Sequence, residues 1–412
     1  MSNKQTEPLA PKLRFPDFRG SSSWQIRNLG QACHMQAGKF VPAAEIHDKY
    51  MQGLFPCYGG NGLRGYTATF THNGKYSLIG RQGALCGNIK QGIGQFHATE
   101  HAIVVTQKKG TTGDWLFFVL DLMNLNRFAT GQAQPGLSVD VLEKLPIAVP
   151  NEEAEQQKIA DCLSSLDELI AAQARKVDAL KTHKIGLMQH LFPREGETQP
   201  RLRFPEFLNS GEWEWVELGE KVDLLSGYPF DGSDISQDSS GIPLLRGINV
   251  TEGRIRHNSE IDRYYIGSIE GLEKYRLQVN DLVIGMDGSK VGKNSALVSE
   301  NDVGALLIQR VARLRAKKVP LIEFIFQRVH SPSFHAYVDR INTSSGIPHI
   351  SAKQIKEFRI CFPSDEEQQR IVDCLSSLDT LINTATQELE TFKTHKKGLM
   401  QQLFPSAEAL EA

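Results

Sequence analysis

The chemistry-bearing residues cluster in a few glycine-rich stretches. Between Phe55 and Tyr66, in FPCYGGNGLRGY, twelve residues hold four glycines, two tyrosines, an Asn and an Arg. Asn and Arg carry paired hydrogen-bonding groups that match adenine and guanine edges in the major groove, and glycine lets a backbone approach a ligand closely. Gly60, Asn61, Arg64 and Tyr66 are therefore candidate DNA contacts. The stretch Gly80–Asn88 has the same chemistry and adds Arg81 and Gln82. The competing reading is a pair of tight turns in a β-rich core. Later in the chain Arg246, Asn249, Arg254 and Arg256 fall close together, and DGSKVGK at 287–293 is a glycine-rich loop with two lysines. That loop misses the phosphate-loop spacing, because Gly292-Lys293 is followed by Asn294. Nucleotide binding is rejected there, and Ser289, Lys290 and Lys293 are expected to touch DNA backbone instead.

No pattern for catalysis accompanies these residues. His34, His47, His72, His97 and His101 form no HExxH or similar metal motif and read as solvated or core histidines. There is no GxSxG elbow, no Asn-Pro-Pro-aromatic tetrapeptide of the kind adenine methyltransferases use, and no helicase or nuclease pattern. The chain is expected to carry no active site, metal or cofactor of its own.

Composition sets the class. The 412 residues, 40% apolar and 23% charged, suit a multidomain globular protein. Met1–Pro11 is polar, without a signal-peptide core, and no apolar run is long enough to span a membrane. Six scattered cysteines (Cys33, Cys57, Cys86, Cys162, Cys361, Cys374) form no CxxC pair, which predicts reduced thiols and a cytoplasmic location. The net charge of −2 is unusual for a lone DNA binder. It hides an uneven distribution: residues 19–150 hold 12 Lys+Arg against 7 Asp+Glu, whereas residues 208–362 hold 19 against 20.

An internal repeat organises the chain. Residues 158–193 and 370–405, offset by 212, are identical at 21 of 36 positions. KLRFPDF at 12–18 matches RLRFPEF at 201–207 at an offset of 189, and the match extends to Trp24/Trp213 and Leu29-Gly30/Leu218-Gly219. Ser138–Pro150 matches Ser351–Pro363. Two copies of one unit follow: a short LRFP lead-in, a variable domain, then a long helix. The expected segments are an N-terminal arm at 1–18, a recognition domain at 19–150, a long helix at 151–193, a linker with the second lead-in at 194–207, a second recognition domain at 208–362, a second long helix at 363–405 and a tail at 406–412. The second variable domain is 23 residues longer than the first.

Apolar residues in the helices fall at alternating steps of four and three, the pattern of a coiled-coil seam. In the first these are Ile159, Leu163, Leu166, Ile170, Val177 and Leu180, with interruptions at Gln173 and Lys184. In the second they are Ile371, Leu375, Leu378, Ile382, Leu389 and Phe392, with Lys396 in place of Lys184. Ser364 and Glu367 have capping-box spacing. A domain usually begins and ends close together, so the domain between the helices favours antiparallel self-pairing, with an approximate two-fold axis within the chain. An intermolecular coiled coil is the alternative. Short apolar runs broken by glycine (Tyr76–Ile79, Ala102–Thr106, Asp281–Gly285, Ala305–Arg313) read as strands, and Leu116–Leu122 and Leu321–His330 as helices. The expected class is α+β: two mixed domains joined by two long antiparallel coiled-coil helices. Polar loops at Thr130–Gln134 and Thr343–Gly346 precede the helices at matching places and would touch DNA or cap strands.

These features resemble the specificity subunits of type I restriction–modification systems over nearly the whole chain. The resemblance rests on the LRFP lead-ins, FPCYGGNGLRGY, LIGRQGALCGNI, GIPHISAKQIKEF, the EQQ[KR]I helix starts, the KGLMQQLFP-type helix end and the duplicated architecture. It implies two target-recognition domains reading a bipartite, asymmetric site in double-stranded DNA, with a spacer set by the helices. It also implies two methyltransferase subunits and two restriction (translocase–nuclease) subunits as partners in phage defence. S-adenosylmethionine, ATP and magnesium would belong to those partners. The alternatives are a DNA-binding adaptor for another modification or defence enzyme, and a scaffold that never touches DNA; the basic balance of residues 19–150 argues against the latter.

Overall fold

The computed structural model describes residues 9–131, 135–316, 318–342 and 348–406. The chain divides into two compact units, Met1–Ala174 with Gln387–Ala412, and Arg175–Thr386.

In the first unit, β1 (Gln25–Asn28) leads through the single-turn helix α1 (Leu29–Ala32) into a six-stranded sheet. Its strands are β2 (Cys33–Ala37), β3 (Phe55–Gly59), β4 (Gly62–Thr67), β5 (His72–Gly80), β6 (Ile89–Ala98) and β7 (Ala102–Gln107), in the order β2-β7-β5-β6-β3-β4. Neighbours run antiparallel except β3 and β6. Helix α2 (Gly113–Leu122) packs on β5, β6 and β7. After α3 (Val139–Leu142), β8 (Pro146–Val149) returns to pair with β1, Gln25 opposite Val149. The domain thus closes on its own ends, and the long helix α4 (Glu153–Leu191) starts where the domain began.

The second unit repeats that frame around a different interior. β9 (Glu214–Glu217), α5 (Leu218–Lys221) and β10 (Val222–Ser226) open it. β11 (Ile235–Ser236), β12 (Ile242–Leu245), the hairpin β13 (Val250–Thr251) and β14 (Arg254–Ile255), and β15 (Tyr264–Tyr265) follow, then β16 (Leu282–Gly285), β17 (Ser295–Leu297), β18 (Leu306–Leu307) and β19 (Val311–Ala316). They form the sheets β10-β19-β16-β17 and β11-β15-β12-β18. Helices α6 (Val319–Val329), α7 (Pro332–Ile341) and α8 (Ala352–Glu357) precede β20 (Arg359–Phe362), which pairs with β9, Glu214 opposite Phe362. The strand expected at Ala305–Arg313 is two strands. Arg310 sits at φ +67°, and the chain leaves one sheet at β18 and joins the other at β19.

The repeated residues explain the common frame. Each unit centres on three aromatics: Trp24, Trp115 and Phe404 in the first, Trp213, Phe324 and Phe192 in the second, with centroids 5.5–6.4 Å apart. In each, the lead-in arginine clamps the first turn of the long helix: Arg14 onto Glu155, and Arg203 onto Glu367, both with two short hydrogen bonds. The capping box expected at Ser364 is therefore half made. Ser364 accepts the Glu367 N–H, but the Glu367 carboxylate turns to Arg203. The lead-ins dock on the end of the other copy's helix, Leu13 N–H on Gln402 O and Leu202 N–H on His190 O.

The second long helix is α9 (Asp365–Leu403), and α4 and α9 run antiparallel within each unit. In the first, Lys396 meets Asp167 at 2.6 Å and Gln173 donates to Glu388 at 2.8 Å; as one number rises the other falls. In the second, Lys184 meets Asp379 at 2.6 Å. The lysines that interrupt the seam are thus paired across it, and the two pairs are images of each other at the repeat offset of 212. Of the seam residues, Ile159, Leu163, Val177, Ile371, Leu375 and Leu389 are buried, and Leu166, Ile170, Leu180, Leu378, Ile382 and Phe392 half-buried. Ile159 and Leu163, and likewise Ile371 and Leu375, enter the core of the adjoining domain.

Candidate nucleic-acid interface

The two glycine-rich stretches of the first domain meet in space. Gly60 and Asn61 form the turn between β3 and β4; Arg81 and Gln82 follow β5 directly. A Cβ on Gly80 would stand 2.0 Å from Gly60 O, so only glycine allows this approach. Asn88 donates to Asn61 Oδ1 at 2.9 Å, and Gln82 Oε1 lies 2.9 Å from His101 Nδ1. Arg64 lies exposed on β4 and Arg81 half-exposed. Neither guanidinium has an ion pair or hydrogen bond among the described residues. Tyr66 packs edge-on against Tyr50 at 5.6 Å. The structure therefore gathers Gly60, Asn61, Arg64, Arg81 and Gln82 into one polar cluster, with Asn88 and His101 linking them. Leu63 and Leu85, 54% and 50% exposed, stand among these residues and offer apolar surface of the kind that meets a thymine methyl. The sequence reading missed both leucines, for which exposure is the only signal.

The candidates in the second domain are differently placed. Asn249 is a correction: it is buried, its Oδ1 accepts from Arg246 N, and its Nδ2 donates to Arg256 O and Asp262. It folds a turn and has no free edge to offer a base. Arg246 is tied to Ile261 O and Arg256 to Ile248 O, whereas Arg254 is exposed on β14. The 287–293 loop lies beside the β13–β14 hairpin, joined by Lys290–Glu252 at 3.0 Å; Ser289 is exposed. Lys293 faces Asp339 at 3.5 Å and Arg310 faces Asp287 at 2.9 Å. Lys290, Lys293 and Arg310 of the near-neutral second domain thus face surface carboxylates, whereas Arg64 and Arg81 of the basic first domain do not. Exposed pairs of this kind are weak and exchange readily for another anion.

No group of three or more His, Cys, Asp or Glu among the described residues is placed to hold a metal. His97 is buried between Thr69 Oγ1 and Lys39 O, and His72 stacks on Phe96, where burial lowers its pKa. Burial pushes the Cys33 thiol up to about 12 and Cys361 up to about 11, so neither is a thiolate at neutral pH. No helix among the described residues is long and apolar enough to cross a membrane. Residues 132–134 and 343–346, in the two polar loops before the helices, lie outside the described residues.

The comparisons with known proteins also find a duplicated chain. The family described as "Type I restriction modification DNA specificity domain" matches residues 21–182 and 210–391. The chain belongs to this family. Each matched segment contains one variable domain and the first part of the helix that follows it. The chain is 46% identical to the Escherichia coli type I restriction enzyme EcoprrI specificity subunit over 144 residues, which is 35% of this chain and 36% of that relative. It is 26% identical to the Methanocaldococcus jannaschii MjaVIII specificity subunit over 95% of this chain and 93% of the relative. Its fold matches the S subunit of a type I restriction–modification system from M. genitalium, with a TM-score of 0.67 at 15% identity, covering 97% of this chain and 100% of the other.

Proposed function

We propose that this chain is the non-catalytic DNA-reading subunit of a type I restriction–modification complex. Its two specificity domains would read the two halves of a split, asymmetric target, and its helices would hold the other subunits. The contrast between replication and divergence carries this reading. The clamps Arg14–Glu155 and Arg203–Glu367 and the pairs Lys396–Asp167 and Lys184–Asp379 recur residue for residue. The interiors differ in sheet order and in surface charge. Unlike readers imply unlike half-sites; like helical surfaces imply two copies of one partner. Leu169 and Leu381, one repeat apart, are both exposed (44% and 53%) and give each helix the same unpaired apolar position.

The partners under this reading are two methyltransferase subunits and, for restriction, two translocase–nuclease subunits, all cytoplasmic. S-adenosylmethionine, ATP and magnesium for methylation and restriction belong to those partners. In the first domain the cluster around Arg64, Arg81, Asn61 and Gln82 faces bases. In the second, Arg246, Arg254, Ser289, Lys290 and Lys293 meet the duplex chiefly through phosphates, the two lysines after exchanging their surface carboxylates. Base edges then supply specificity and phosphate contacts supply register.

The test is the methylated motif in genomic DNA of cells expressing the chain with its methyltransferase, against cells lacking the chain. The expected result is an interrupted asymmetric motif with methyladenine on each half. Unchanged methylation, with the methyltransferase active and bound, overturns the reading in favour of an adaptor for a different enzyme.

A further inference from the structure

The second unit contains a cavity of about 630 Å³, within the range that accommodates small organic ligands. Its lining comes from the end of α4 and the residues after it, from Trp215, from the α6–α7 junction and from Glu357–Arg359. None of these residues is among the DNA candidates of the preceding sections.

Arg328 sets the cavity apart. Its side chain lines the space yet is 7% exposed. Among the described residues its guanidinium has no ion pair and no hydrogen bond, and its Nε is buried without a partner. The guanidinium lies over the face of Phe192, 4.6 Å from the ring centroid. Burial pushes its pKa down to about 10, which still leaves it charged at neutral pH. A buried cation without an anion is costly, and such groups are ordinarily paired.

The fold does not require a cation there. Counting four residues on from the helix aromatic of each triad, α6 carries Arg328 after Phe324, and α2 carries Val119 after Trp115. Val119 is buried in the apolar core of the first unit. The same frame therefore closes with an apolar side chain at this position in the first unit.

The other lining groups suit an anion with a flat body. The start of α7 (Ser331, Pro332, Ser333) borders the cavity; Pro332 has no N–H and Ser331 N–H donates to Arg328 O, which leaves the Ser333 N–H without a side-chain cap. Ser331 Oγ donates to Arg328 O at 2.6 Å and lies 2.7 Å from Ser333 Oγ, so it does not cap the turn. Uncapped N–H groups at a helix start favour phosphate. Arg194, Arg340 and Arg359 are exposed at the rim, against Glu195 and Glu357. Trp215, Tyr337 and Phe358 supply aromatic walls for stacking.

We propose that this cavity is a nucleotide site, in which Arg328 and the start of α7 hold the phosphate and the aromatic walls take the base. The proposal goes beyond DNA reading and does not depend on it. The nucleotide is either free in solution or a unit of a bound strand, and the two sources share this chemistry.

The test uses the full chain, calorimetric titration and thermal unfolding, with AMP and inorganic phosphate as probes. AMP is expected to bind and to raise the unfolding temperature, phosphate to bind more weakly for want of stacking. Arg328→Leu is expected to weaken AMP at least about tenfold while the unliganded protein unfolds at the same or a higher temperature. A duplex lacking the target sequence that displaces AMP assigns the site to nucleic acid; no displacement assigns it to a free nucleotide, and either supports the proposal. Should Arg328→Leu fail to fold, Trp215→Ala, which removes an aromatic wall, serves, and AMP binding equal to wild type overturns the proposal. So does wild type that binds neither AMP nor phosphate at millimolar concentration, or Arg328→Leu that binds AMP unchanged.

Discussion

Asp379→Ala and Asp167→Ala are matched perturbations, because each aspartate is the repeat image of the other. Lys184 is 9% exposed and lies 2.6 Å from Asp379, itself 32% exposed. Lys396 is 16% exposed and lies 2.6 Å from Asp167, which is 42% exposed. Removing either carboxylate strands an ammonium in the seam. Fully buried pairs lose about 3–5 kcal/mol in this way and exposed pairs about 0–1 kcal/mol. Discounted for the open side of Asp379, its loss comes to about 2 kcal/mol, raised further because Gln327 Nε2 also donates to Asp379 at 3.0 Å. Loss of Asp167 comes to about 1 kcal/mol, since both partners are wetter. In units of roughly 200 residues, each kcal/mol moves the midpoint by about 2–4 °C. Scanning calorimetry should therefore show Asp379→Ala falling about twice as far as Asp167→Ala. The double variant Lys184→Met/Asp379→Leu should recover to within about 1 kcal/mol of the parent, because replacing both partners removes the stranded charge. Equal losses at the two sites, or a double variant as unstable as Asp379→Ala, would refute the argument that uncompensated charge sets the cost.

Three further outcomes are expected. Arg64→Ala breaks no ion pair or side-chain hydrogen bond among the described residues, so stability should stay within about 0.5 kcal/mol; the methylated motif should relax at one half-site only, by about 1–3 kcal/mol of discrimination. An equal loss on unrelated sequences would make Arg64 a phosphate contact instead. Gly80→Ala places a Cβ 2.0 Å from Gly60 O; it should cost about 1–3 kcal/mol and weaken the same half-site as Arg64→Ala, as sequencing of methylated DNA would show. Inserting four residues in both α4 and α9 adds about 6 Å to each helix, and the gap between half-sites should grow by about two base pairs at ~3.4 Å each with neither half-site altered. A fixed gap in an assembled complex would sink that idea.

The replicated parts were legible in the sequence because they obey rules of period and spacing. The seam follows from four–three steps. Its interruptions at Lys184 and Lys396 are also meaningful, although the partner aspartates emerge only when the helices are laid antiparallel. What periodicity could not show was that Ile159, Leu163, Ile371 and Leu375 also serve the domain cores, since a helix does not record which neighbour covers its face. The strand at Ala305–Arg313 broke at Arg310 because an apolar run carries no mark of where a chain changes sheets.

The functional residues were legible unevenly, and the reason is physical. Residue type announces hydrogen-bonding capacity; only the fold decides whether that capacity is already used. Asn61 and Asn249 look alike in sequence, but Asn61 sits exposed in the β3–β4 turn whereas Asn249 spends both ends of its amide inside a turn. Lys290 and Arg64 are likewise both cations beside glycines, yet Lys290 faces Glu252 and Arg64 faces solvent. The local charge balance is a coarse guide to this difference: it allows pairs such as Lys290–Glu252, yet Arg254 of the same balanced segment is exposed without an ion pair among the described residues. Arg328 lay beyond reach for the opposite reason. Its significance is the absence of a partner, and that becomes visible only when segments near residues 190, 215, 330 and 358 are brought around one cavity.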